Sequence, residues 1–148
     1  MQDFAETRRP RTTAQWFALI AGSVYILIGL AGFFVTGFDV FVGNSQETLI
    51  LFEVNPFHNV VHIVIGSLWL VAGLMLGAEA TQGVNFAIAG FYLLAAVAGF
   101  LGLGILDDLL AIDGVLHPDN FLHLATALAS LPFGAGVLRS RTVQRGAA

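Results

Sequence analysis

The sequence predicts an all-α membrane protein: a four-helix bundle made of two parallel two-helix repeats, with both termini cytoplasmic. Three observations carry this. Of 148 residues, 57% are hydrophobic and only 11% are charged, less than half the roughly 25% of a soluble domain. The mean hydropathy is +0.82. All six basic residues are arginines confined to the two tails: Arg8, Arg9 and Arg11 before the first apolar run, Arg139, Arg141 and Arg145 after the last. So few charges cannot cover a water-facing surface, which argues against soluble enzymes, nucleic-acid binders and disordered chains. Cysteine is absent, which excludes disulfides, thiolate nucleophiles and sulfur metal sites.

Four apolar segments follow from the hydropathy. They run over residues 16–36, 57–77, 84–104 and 120–138, between a basic tail at 1–15 and another at 139–148. Each supplies the ~20 residues that a helix rising 1.5 Å per residue needs to cross ~30 Å of hydrocarbon. Hydrocarbon offers backbone groups no partner, so each segment is expected to be helical. The apolar run after the first arginines is too long for a signal peptide and lacks a small-residue cleavage site, and it reads as a retained span. Basic flanks stay on the cytoplasmic side. Arginines at both ends therefore demand an even number of spans and place the protein in the cell membrane with both tails inside.

The connections are unequal. Residues 78–83 form a short expected inner turn. The outer loops, 37–56 and 105–119, carry Asp39, Glu47, Glu53, Asp107, Asp108, Asp113 and Asp119 with no Lys or Arg. Such a face attracts cations, although acidic outer loops also simply accompany the positive-inside rule. Both loops mix aliphatics with carboxylates, as in 48–54 and 105–112, and suit short amphipathic segments that lie at the headgroups or fold over the bundle.

The two halves resemble each other. Phe17 to Tyr25 and Ala31-Gly-Phe-Phe34 in the first span match Phe86 to Tyr92 and Ala98-Gly-Phe-Leu101 in the third. His58-Asn59-Val-Val-His62 matches Asp119-Asn120-Phe-Leu-His123. A two-span unit returns the chain to its starting side, so the halves are expected to share an orientation about an axis along the membrane normal.

The stretch Phe52-Glu-Val-Asn-Pro-Phe-His-Asn-Val-Val-His62, followed by Gly66, resembles the hallmark of a family of small bacterial and archaeal four-span membrane proteins known only as a domain of unknown function. Asp119-Asn120-Phe-Leu-His123 resembles its second-half signature. The resemblance covers roughly residues 14–138. It implies a four-helix membrane fold and no established activity.

The polar motifs carry the functional expectations. Asn55-Pro56 is a helix start: Asn accepts from first-turn N–H groups, and Pro at the first helical position lacks a donor that would be orphaned anyway. His117-Pro118-Asp119 offers a similar start. Capping leaves Asn59, His62, Asn120 and His123 unexplained. His58 and His62 stand four apart on one helix face, as do Asp119 and His123. Packing the second span on the fourth would gather His58, His62, Asp119 and His123. Imidazoles with a carboxylate suit Zn²⁺, Mn²⁺ or Fe²⁺, with asparagines orienting the rings. A haem reading would use His62 and His123 alone as axial ligands. The structural alternative is a buried hydrogen-bonded layer pairing Asn59 with His123 and Asn120 with His62; small-ligand or proton handling is a further reading.

Serines at 23, 67 and 130 are expected to bond back to the preceding helical turn, Trp16 to anchor at the interface, Trp69 to pack, and Pro132 to kink the fourth span. No Ser-His-Asp grouping or phosphate loop occurs, so an enzyme ranks last. An accessory, structural or ligand-binding membrane subunit ranks first, ahead of a metal or haem protein and a small carrier or channel. Expected partners are the lipid bilayer and other membrane subunits or further copies, with no nucleic acid.

Overall fold

The computed structural model describes residues 10–136. Arg8, Arg9, Arg139, Arg141 and Arg145, and the last two residues of the expected fourth span, lie outside them. The chain's regular elements are five helices and one small hairpin among the described residues: α1 (Thr13–Thr36), β1 (Thr48–Leu49), β2 (Phe52–Glu53), α2 (Pro56–Met75), α3 (Ala78–Phe100), α4 (Ile105–Leu110) and α5 (Pro118–Gly134). Three helices, α1, α2 and α3, are long and apolar enough to cross a membrane, as a small multi-pass membrane protein requires. The described part of α5 has 17 residues, with Pro132 inside it.

Local chemistry sets the helix ends. Thr12 opens α1 with a capping box, its side chain and that of Gln15 exchanging bonds with each other's backbone. Asn55 caps α2, with Pro56 in its first turn. The largest boundary difference from expectation is at the start of α3. Residues 78–83 are not a turn but the first turns of α3, so Leu76 and Gly77 alone join α2 to α3. Glu79 and Gln82 lower the hydropathy there, yet Ala-Glu-Ala-Thr-Gln is a run of mostly good helix formers.

The most extensive helix pairings are α1 along α2 and α3 along α5; α1 meets α3 and α5, and α2 meets α3, more slightly. Backbones come very close where α1 crosses α2. A Cβ on Gly22 would stand 2.6 Å from the Gly66 carbonyl oxygen, and one on Gly66 would stand 2.7 Å from that of Gly22. Side chains there would force the helices apart.

The buried positions keep a constant register. Ala14, Ala18, Gly22, Tyr25, Gly29 and Gly32 of α1 are buried, and so is each position 67 residues later in α3: Thr81, Asn85, Ala89, Tyr92, Ala96 and Gly99. In α2, His58, Asn59, His62, Gly66, Trp69 and Gly73 are buried. A shift of 61 gives Asp119, Asn120, His123, Ala127, Ser130 and Gly134 of α5, all buried.

Trp69 stands in the core against the edge of Tyr25, ring centroids 5.1 Å apart. Its indole N–H donates to Asn85 Oδ1 at 3.1 Å. The Asn85 amide in turn donates to the carbonyls of Ala14 and Phe133, each at 3.2 Å. One α3 side chain thus ties the start of α1, the middle of α2 and the end of α5. Ser67 and Ser130 bond back to Ile63 and Thr126, each at 2.7 Å. Trp16 is exposed and carries the Arg11 guanidinium 5.8 Å above its ring.

The two long connections fold over the end where α2 and α5 begin. Asn55 Nδ2 donates to Gly43 O at 2.8 Å and to Leu109 O at 3.0 Å, clamping both to the start of α2.

Candidate functional site

The polar motifs meet beneath those loops. Asn55 accepts from the His58 N–H at 2.8 Å, which fixes the first turn of α2. At α5 the cap is His117, whose Nδ1 accepts from the Asp119 N–H at 3.3 Å. An accepting Nδ1 is unprotonated, so its 3.5 Å approach to Asp119 Oδ2 is not a charged pair. Burial holds the His117 imidazole below its ordinary value, against the opposite pull of Glu53, Asp113 and Asp107.

His58 and Asp119 in the first turns of α2 and α5, and His123 one turn further along α5, each present a ligand atom, and these atoms all lie within 4.8 Å of one another. All three residues are buried, at 1%, 1% and 3% exposure. Both ring nitrogens of His58, Nδ1 of His123 and Oδ2 of Asp119 have no hydrogen-bond partner in the described structure. Buried polar atoms are usually paired, and each left unpaired costs about 1–3 kcal/mol.

His62 is close but separate. Its ring centroid lies 4.6 Å from that of His58, yet it is not among the three whose ligand atoms converge. It packs on Tyr25 of α1 at 5.1 Å, and His123 packs on Tyr92 of α3 at 5.2 Å. The tyrosine rings are 5.6 Å apart.

The asparagines do not pair with the histidines as a hydrogen-bonded layer would. Asn59 donates to Thr36 Oγ1 at 3.0 Å. Asn120 donates to the carbonyls of Gly114 and Val115 at 3.1 and 3.2 Å. The amide of Asn59 rests on Gly32 and that of Asn120 on Gly99. The asparagines are thus occupied by α1 and by the loop, and the imidazoles are left without them.

A cavity of about 270 Å³ opens beside the cluster, with His58, His62, Tyr92 and His123 at its inner wall and Leu106 and Leu110 of α4 among its lining. A second, of about 80 Å³, lies on the other side, lined by Ile28, His62, Asp119, Leu122 and the hairpin residues Leu49, Ile50, Phe52 and Val54. The roles of Tyr25, Tyr92 and Asn85 were not legible beforehand. The tyrosines stood out only as matches between the halves, and one asparagine near a helix start carries no signal of a three-way bond.

The family model for a domain of unknown function, DUF4383, matches residues 15–136, and the chain belongs to that family. No curated protein and no solved structure matches it.

Proposed function

We propose that this member of a family without an assigned activity is a four-helix membrane bundle of two parallel repeats, cytoplasmic at both termini, that binds a divalent cation. The cation sits at the outer end of α2 and α5, on His58, Asp119 and His123. The observation that carries the reading is the convergence of these three buried, largely unpartnered side chains within 4.8 Å. Ligands about 2.0–2.1 Å from a tetrahedral Zn²⁺ stand roughly 3.3 Å apart, so small side-chain rotations close the set. Two imidazoles and one carboxylate suit Zn²⁺, Mn²⁺ or Fe²⁺ and leave a coordination position open. His62 lines the space beside the site.

The architecture is supported by the constant burial shifts of 67 and 61 residues between the halves. Asn85 bonds the start of α1 and the end of α5 together, which suits a chain that crosses an even number of times. As a fourth span, α5 contributes 17 described residues, about 26 Å at 1.5 Å per residue. Exposed Ile20, Leu27, Phe34, Leu68, Met75 and Leu94 form a surface that lipid would cover. An accessory role beside other membrane subunits is compatible with the same surface.

Metal analysis and thermal unfolding of the purified protein test the reading. Zn²⁺, Mn²⁺ or Co²⁺ at 100 times its Kd should stabilise the fold by about 2.7 kcal/mol through mass action. The shift should vanish in His58→Ala, Asp119→Asn and His123→Ala. If no divalent ion moves the melting temperature, the cluster is a structural polar layer and the cation reading is wrong.

A further inference from the structure

The two cavities beside the polar cluster occupy matching joints of the two halves. The larger lies between α2 and α3 and is lined by His58, Val61, Ala95 and His123. Shifts of 61 and 67 residues turn these into Asp119, Leu122, Ile28 and His62, and all four line the smaller one between α1 and α5. One fold element is thus built twice, at about 270 Å³ and about 80 Å³. Ile28 stands where the wider joint has Ala95, and the hairpin's Phe52 and Val54 close the narrow one further.

Two elements border the wide crevice. Leu106 and Leu110 of α4 cover it at the loop end, and the Asn55 amide holds that helix down through Leu109 O. On its flank it is bordered by Phe91 and Leu94 of α3, which are 48% and 71% exposed on a helix apolar enough to span. With α3 read as a membrane span, this flank faces hydrocarbon. At its inner wall stand His58 and His123, nine-tenths or more buried, with unpartnered ring nitrogens. An occupant must arrive from the lipid with an apolar body and must present a polar atom to the cluster.

We infer that the α2–α3 crevice is a lateral port through which a fatty carboxylate enters from the membrane, its head taking the coordination position left open by His58, Asp119 and His123. The inference rests on the cation reading. A divalent ion with one carboxylate ligand keeps a net positive charge in a poorly solvated site, which is costly. A second carboxylate cancels it, whereas a neutral alcohol head does not. The acyl chain runs past Ala95 and Ala98 and out between Phe91 and Leu94.

The test uses the full chain in phosphatidylcholine nanodiscs loaded with Co²⁺, whose visible absorption responds to ligand change. Decanoate should shift the band in the wild type, while decanol and acetate at the same concentration should not. Ala95→Ile, which copies the narrow joint, and Ala98→Leu should keep the band and need at least ten-fold more decanoate. No variant is required for a second readout. Bound Co²⁺ should broaden the carboxyl carbon of ¹³C-labelled decanoate more than its terminal methyl. Absence of any Co²⁺ band in the wild type would remove the cation reading itself. A Co²⁺ band with equal decanoate response in wild type and both variants, an equal response to decanol or acetate, or stronger broadening at the methyl end would overturn the port and leave the cation site standing.

Discussion

The side-chain amide of Asn59 lies where a Cβ on Gly32 would stand, and Asn120 lies in the same way against Gly99. Gly32 of α1 makes room for Asn59 in the first turn of α2, and Gly99 of α3 for Asn120 in the first turn of α5. Adding a methyl group normally favours a helix by about 1 kcal/mol over glycine. Here it would drive the asparagine off its partners, and overpacking of this kind costs about 1–3 kcal/mol. Gly32→Ala and Gly99→Ala should therefore lower the thermal midpoint in detergent. Gly90→Ala, at a position with nothing within 4 Å, should leave it unchanged or raise it. Equal behaviour of all three would refute the packing argument.

Asn55 combines two tasks that substitution can separate. Its Oδ1 caps α2, and its Nδ2 holds Gly43 and Leu109. Asn55→Asp keeps the cap acceptor but loses both donations and turns a carboxylate toward two carbonyls. Asn55→Ala also loses the cap, itself worth about 0.5–2 kcal/mol. Hydrogen exchange should accelerate around residues 40–47 and 105–112 in both variants, and in the first turn of α2 only in Asn55→Ala. Unchanged exchange in the loops of Asn55→Asp would mean that the clamp contributes nothing.

Asn85 and Trp69 should behave as one unit. Asn85→Leu removes the donations to the Ala14 and Phe133 carbonyls and leaves the buried indole N–H unpaired, at a cost of about 1–3 kcal/mol for the stranded donor. Trp69→Phe removes the indole donor and leaves the Asn85 acceptor unused. The double variant should lose less stability than the two single losses combined. Strict additivity in thermal unfolding would rule out the bond as a determinant of stability.

Topology is testable because the chain has no cysteine of its own. Single cysteines introduced at Asn44 and in either basic tail report sidedness to an impermeant thiol reagent in intact cells. The loop position should label and the tails should be protected. Labelled tails, or a protected position 44, would reverse the assignment made from the arginines.

Much of the helical framework was legible because its causes are local. Long apolar runs favour helix, because a helix satisfies its backbone groups within its own segment where water is absent. Asn55-Pro56 sets a helix start from steric and hydrogen-bonding preferences of two adjacent residues. The matching motifs of the two halves also stood in the sequence, as did the four-residue spacings that put His58 with His62, and Asp119 with His123, on common faces. The start of α3 was hidden because Glu79 and Gln82 break the hydropathy without breaking the helix.

What the tertiary structure alone decided is how those faces are rotated and what stands between them. Sequence spacing puts His58 and His62 on one face but is silent about the neighbour each meets. Packing turns His58 toward Asp119 and His123, and sets His62 against Tyr25. The asparagines were drawn to α1 and to the loop rather than to the histidines, because Gly32 and Gly99 admit them at the helix crossings. The two crevices differ in volume where Ala95 lines the wide one and the bulkier Ile28 the narrow one. A side chain's volume acts through the space around it, and that space is a property of several helices at once.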